Sequence, residues 1–128
     1  PRAPTLEQWA GEAAAGTACR VVMANREYEA WFLASIETLR GNARILAGAG
    51  SHPQPEAQRD AKGELESRIT PGASYSAPID QPALTAHLDL QSAYRRCRIF
   101  RRLVSAFGDL ATAAGATPAQ WPPAAWVS

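Results

Sequence analysis

The stretch "ANREYEAWF", residues 24–32, sets Glu27 and Glu29 one residue apart among aromatic side chains. Carboxylates in such a setting can act as general acids or bases, or as oxygen ligands for hard cations. On a helix beginning after Asn25, each residue turns by 100°, and Trp31, Tyr28, Leu39, Phe32, Ile36 and Leu33 then form one apolar arc. Glu27 falls outside this arc. Its place in the first turn is explained by the helix dipole, worth about 0.3–1 kcal/mol. Glu29 falls inside, between Ile36 and Leu33, where an ionised carboxylate requires a partner. Two readings stay open for it: metal binding or acid–base chemistry, and the commoner local salt bridge to arginine or tilt toward solvent.

The second candidate lies in "AYRRCRIFRR". On a helix over residues 91–114, Ala93, Cys97, Phe100, Leu103, Val104, Phe107, Leu110 and Ala111 mark the core face, and Arg95, Arg98, Arg101 and Arg102 point away. A basic face of this kind can follow a nucleic-acid backbone, although a solvated face is the commoner outcome. Arg96 instead projects into the apolar sector. A buried guanidinium seeks a carboxylate or phosphate. Arg96 and Glu29 could therefore meet, as a structural pair or as two walls of one site, unless the arginine stem packs and its head reaches water.

Other chemistries find little support. His52 and His87 share no zinc-ligand spacing with Cys19 and Cys97. "AGAGSH" is Gly-rich without the pattern of a phosphate-binding loop, and no nucleophile elbow is present. Tyr75, Asp80 and Gln81 fall in a loop and Lys62 in a polar helix, and each taken alone reads as surface.

These residues belong to a chain of 128 residues, the size of one domain with a modest core. A net charge of +1 gives no global attraction to nucleic acid or anionic membrane. No apolar run approaches the roughly 18 residues that span a bilayer, and the amphipathic start is unlike a secretory signal. Two cysteines are too few for a disulfide framework, so reduced thiols in a cytoplasmic protein are expected.

"TLEQWAGEAAAG" predicts a first helix with Thr5 as cap and Gly16 as stop. "ACRVVMA" is a short apolar run of the kind found in a strand buried on both faces of a parallel sheet. A helix over 26–40, capped by Asn25 and closed by Gly41, follows. A long loop leads to a polar helix in "PEAQRDAKGELESRI", and a second loop, "TPGASYSAPIDQP", to a short helix in "ALTAHLDL". The long helix over 91–114, with Asp89 as cap, precedes a Pro/Trp-rich tail at 115–128. The resulting expectation is an α/β fold, mostly helical, with one clear buried strand. Because a lone strand leaves backbone groups unpaired, at about 1–3 kcal/mol each when buried, its partners are expected in further chain or another subunit.

"VVMANREYEAWFLASIETLRG", "AKGEL" and "DQPALTAHLDLQSAYRRCRIFRRL" resemble an uncharacterised bacterial family of TOPRIM-like proteins, related to TOPRIM nucleases encoded beside AAA-type ATPases in anti-phage operons. The resemblance implies that the chain is the C-terminal half of a TOPRIM-like domain, 1–128 forming one unit of a larger α/β domain. It matches Glu29 and Trp31 most securely, and Lys62, Tyr75, Asp80, Gln81, Arg96 and Phe100 more loosely. Ile99 departs from the small polar residue expected before Phe100. A TOPRIM site holds Mg²⁺ through an acidic residue and an Asp-x-Asp pair on strand ends, which are absent in the required setting here, so catalytic metal binding by this chain alone is not expected. The implied function is metal-dependent phosphoryl transfer of nuclease type. Glu29 would support the metal cluster, Arg96 would hold a phosphate or pair with Glu29, and Arg95, Arg98, Arg101, Arg102 and Lys62 would contact nucleic acid. The alternative is a non-catalytic module docking on an ATPase or forming a homo-oligomer.

Overall fold

The computed structural model describes residues 2–117 and 120–128 of the chain. Helices carry the architecture: α1 (Ala3–Ala13), α2 (Glu29–Leu33), α3 (Ile36–Leu39), a 3-10 turn at Pro55–Ala57, α4 (Ala61–Glu66), α5 (Ala77–Thr85), α6 (Leu90–Arg96), α7 (Arg98–Ala113) and α8 (Ala124–Val127). Among the described residues no helix is long and apolar enough to cross a membrane.

The organising element is α2, whose residues are all buried. A helix buried around its whole circumference must be covered on every side. Phe32 and Leu33 face a cluster with Ile36, Leu39, Ile45, Ala61, Leu65, Ile69 and Leu84. Trp31 and Ala34 face a second cluster with Ala93, Cys97, Phe100 and Val104. The rings of Trp31 and Phe100 meet edge to face at 5.2 Å, one of the favoured aromatic geometries.

The expected α/β class and buried strand are overturned. Among the described residues there is no sheet; the pairing between Ile45 and Ile69 is a single antiparallel bridge. Residues 18–24 are irregular in secondary structure, and among the described residues no backbone–backbone bond pairs them with another segment. Strand preference is a fit to a pleated surface that a second strand must supply, and no described residue pairs with this run. The Val21 amide is instead taken by the Glu7 carboxylate, 3.1 Å away.

The expected helix over 26–40 is two short helices. Its first residues are not helical, because Arg26 has φ 65°, in the left-handed region, and its guanidinium holds Ala57 O at 2.9 Å. The break at Ser35 (φ −140°) is supported from outside the helix: Ser51 Oγ accepts from Ile36 N at 3.0 Å, as a cap does. Gly41, with φ 79°, ends the segment as expected.

The long helix over 91–114 likewise breaks, at Cys97, whose backbone is extended (φ −119°, ψ 113°). Glu56 makes the break affordable by accepting from Arg98 N at 2.8 Å and Ile99 N at 2.9 Å. The bend lets Ala93 on α6 and Phe100 and Val104 on α7 reach the same side of α2. Asp89 caps α6 as expected, accepting from Gln91 N at 3.1 Å. The polar helix contracts to α4, and the helix expected in "ALTAHLDL" begins earlier and ends at Thr85, with Pro82 inside it. The first helix starts at Ala3 rather than after Thr5, and Pro4 occupies the first turn where a missing N–H costs nothing.

Candidate functional site

Most of the carboxylates that looked available are committed to backbone. Glu27 does not serve its own segment; its Oε2 accepts from Lys62 N at 2.9 Å, at the start of α4. Asp60 accepts from Gly63 N in the same turn, at 2.9 Å. Glu56 is occupied at the head of α7 and Asp89 at the head of α6.

Glu29 is different. Carried by the first position of α2, it is 2% exposed. Its Oε1 accepts from the Tyr75 hydroxyl at 2.8 Å and from Gln81 Nε2 at 3.3 Å. Both donors are neutral, and both lie on one oxygen. The one fully enclosed side-chain polar atom without a partner among the described residues is Trp31 Nε1. Among the described residues Oε2 of Glu29 makes no hydrogen bond. Burial pushes the Tyr75 hydroxyl above its ordinary range, and the hydrogen bond to Glu29 pushes it in the same direction. Tyr75 is thus held protonated, as a donor to the carboxylate.

A second buried acid fixes the two donors. Asp80 is 3% exposed, on α5 next to Gln81. Its Oδ2 accepts from Arg44 Nη2 and from Ser76 N, each at 2.7 Å. Arg44 also donates to Ser74 O at 3.0 Å. This clamp pins the backbone on both sides of Tyr75. Tyr75, Asp80 and Gln81, which read singly as surface, are therefore brought together around Glu29. Only their joint placement reveals the cluster, and periodicity within one segment carries no such signal; Arg44, which no local pattern singles out, completes it.

Arg96 does not join them. The break at Cys97 changes its direction, leaving it exposed with Nη1 on Ala34 O at 3.0 Å. Trp31 and Phe100 are core. Lys62 is exposed at the start of α4. Arg95, Arg98, Arg101 and Arg102 are exposed, and among the described residues none forms an ion pair. Arg95 holds the tail, donating from Nη2 to Ala125 O and Ser128 O at 2.8 Å. Arg98 and Arg102 keep outward-facing charge.

No three His, Cys, Asp or Glu side chains gather into a metal-binding group among the described residues. The buried Cys97 thiol is no substitute ligand, since burial pushes it up to about 12 and keeps it protonated.

A family model described as "Domain of unknown function (DUF4276)" matches residues 2–107, and the chain belongs to that family. No curated protein and no solved structure matches it.

Proposed function

We propose that this member of the DUF4276 family takes part in Mg²⁺-dependent phosphoryl transfer on nucleic acid, in the manner of the TOPRIM nucleases of bacterial defence, with Glu29 as its cation-binding carboxylate. The observation that carries the reading is the environment of Glu29: a buried carboxylate held through one oxygen by two neutral donors, with the other oxygen unengaged among the described residues. A carboxylate serving only structure is commonly neutralised by arginine or by backbone N–H groups, as Asp80 is here.

Mg²⁺ is usually bound through one or two carboxylates, with waters and substrate phosphates completing its shell. Glu29 Oε2 suits such a role as a single hard ligand, the remaining donors coming from substrate, water or a partner chain. When bound, the ion would neutralise phosphate charge and lower the pKa of a bound water. The chain's own residues supply the rest: Tyr75 and Gln81 orient the carboxylate, Asp80 and Arg44 fix those donors, and Arg98 and Arg102 offer phosphate contacts. The sequence resemblance supports the same assignment and adds a cytoplasmic AAA-type ATPase as partner.

A second reading, a non-catalytic docking module, is favoured by the exposed Phe107 and Leu103 on α7, 59% and 37% accessible. Incubation of the complete natural protein, with whatever chain or partner supplies the remaining ligands, with labelled single- and double-stranded DNA and RNA separates the two. Mg²⁺-dependent cleavage that is lost in Glu29→Gln and kept in Glu12→Gln is expected. Absence of cleavage, or equal cleavage by Glu29→Gln, refutes the catalytic reading.

A further inference from the structure

A cavity of about 400 Å³ lies where α6 and α7 meet the segment before α8, lined among others by Tyr94, Arg101, Ser105, Asp109, Thr112 and Trp121. That volume falls in the range of small-molecule sites. Its aromatic wall is built to hold still. Trp121 Nε1 donates to Val104 O at 2.7 Å, and the ring is flanked by Phe107 at 5.2 Å and Trp126 at 5.7 Å. Gly108 permits the approach, since a Cβ there would stand 2.6 Å from Trp121 Cδ1. Even so, Trp121 stays 37% exposed. A fixed, partly exposed indole is a stacking platform for an aromatic ligand.

The charged groups of the cavity are also unspent. Arg101 Nη1 donates to Tyr94 O at 2.9 Å and Arg95 O at 3.1 Å, which positions the guanidinium and leaves its other N–H groups available. Neither Arg101 nor Asp109 forms an ion pair among the described residues. They stand eight residues apart on α7, about 12 Å along the axis. A cation and an anion at that spacing, with a stacking surface beside them, match a ligand that carries a phosphate at one end and hydrogen-bond donors at the other.

We propose that this cavity binds a guanine nucleotide unit: the base stacks on Trp121, Asp109 accepts from the base edge, and Arg101 takes the phosphate. Guanine presents adjacent N1–H and N2–H donors, which a carboxylate accepts together, whereas adenine and cytosine present a single amino group and no adjacent ring N–H. The unit is either a free nucleotide or one residue of a single strand. The site is separate from Glu29 and shares with the proposed function only its nucleic-acid chemistry.

Calorimetric titration in EDTA, where Glu29 and metal play no part, provides the test, with GMP, AMP, hexathymidylate and the same hexamer carrying one central guanine as probes. GMP is expected to bind about tenfold more tightly than AMP, the worth of one good base-edge contact. Asp109→Asn should erase that difference, and Arg101→Gln should weaken GMP while sparing guanosine. Gly108→Ala, which displaces Trp121, should weaken every guanine probe. Preference for the guanine hexamer over GMP identifies a strand as the source, and the reverse identifies a free nucleotide. Binding that Asp109→Asn leaves equally selective, or no binding of either guanine probe, overturns the proposal. Asp109→Asn and Arg101→Gln replace exposed side chains, and circular dichroism matching the parent chain accompanies the titration of all three variants.

Discussion

Tyr75 donates its hydroxyl to Glu29 Oε1 at 2.8 Å, joining a loop residue to the first turn of the most buried helix in the chain. Replacing it with phenylalanine keeps the ring and removes the donor. A buried acceptor left short of a partner costs about 1–3 kcal/mol. Tyr75→Phe is therefore expected to lower stability in urea by that amount, and Tyr28→Phe, whose hydroxyl meets only the exposed Thr85 at 3.1 Å, by much less. Equal losses would show that Glu29 does not depend on Tyr75.

The Glu56 carboxylate occupies both leading N–H groups of α7. Loss of a cap costs about 0.5–2 kcal/mol. Glu56→Ala should fall at the upper end of that range because two donors are orphaned, whereas Glu12→Ala, on the exposed face of α1, should be near neutral. Urea midpoints of the two variants decide this directly.

Gly63 is required by contact rather than by φ. A Cβ there would lie 2.2 Å from Asp60 Oδ2, so the capping carboxylate must move. Gly63→Ala should then destabilise the protein by about 1 kcal/mol, the value of a lost cap, despite the better helix propensity of alanine. At Gly50 a Cβ meets nothing within 4 Å, and Gly50→Ala should be tolerated. A stabilised Gly63→Ala variant would contradict the capping assignment.

Stability should fall at both ends of the pH scale, for separate reasons. Burial raises Tyr75 and Cys97 above their ordinary values of 10.0 and 9.0. The folded state then holds protons that the unfolded chain releases, so stability is full below pH 9.0 and declines as pH rises past each ordinary value. Burial pushes Glu37 upward, but hydrogen bonds from Ser51 and from the backbone, together with the charge of Arg96, outweigh it and leave the carboxyl below its ordinary 4.5. Its contribution is present above pH 4.5 and is lost as pH falls through the depressed value. Urea midpoints from pH 3 to 11 should trace this plateau, and Cys19 should alkylate in the native state well before Cys97.

The sequence revealed the apolar face of α2 and the anomaly of Glu29 because both follow from one helix's periodicity. Asp89 as a cap and Gly41 as a stop were legible for the same local reason. The breaks at Ser35 and Cys97 were not, since the groups that stabilise them, Ser51 and Glu56, lie 15 or more residues away in sequence. Arg96 was misdirected by the second break. The strand expected in "ACRVVMA" came from composition alone, and composition does not say whether a second strand is at hand. Tyr75, Gln81 and Asp80 converge on Glu29 only through tertiary packing.

The most direct test of Glu29 as a cation-binding carboxylate is the binding of Mn²⁺, a spectroscopic substitute for Mg²⁺, followed by electron paramagnetic resonance on the purified chain with a nucleotide phosphate present. The free-ion signal should fall with the parent protein, and Glu29→Gln, folded to the same urea midpoint within error, should restore it. If the two proteins bind Mn²⁺ alike, Glu29 is a structural carboxylate and the metal-dependent reading is wrong.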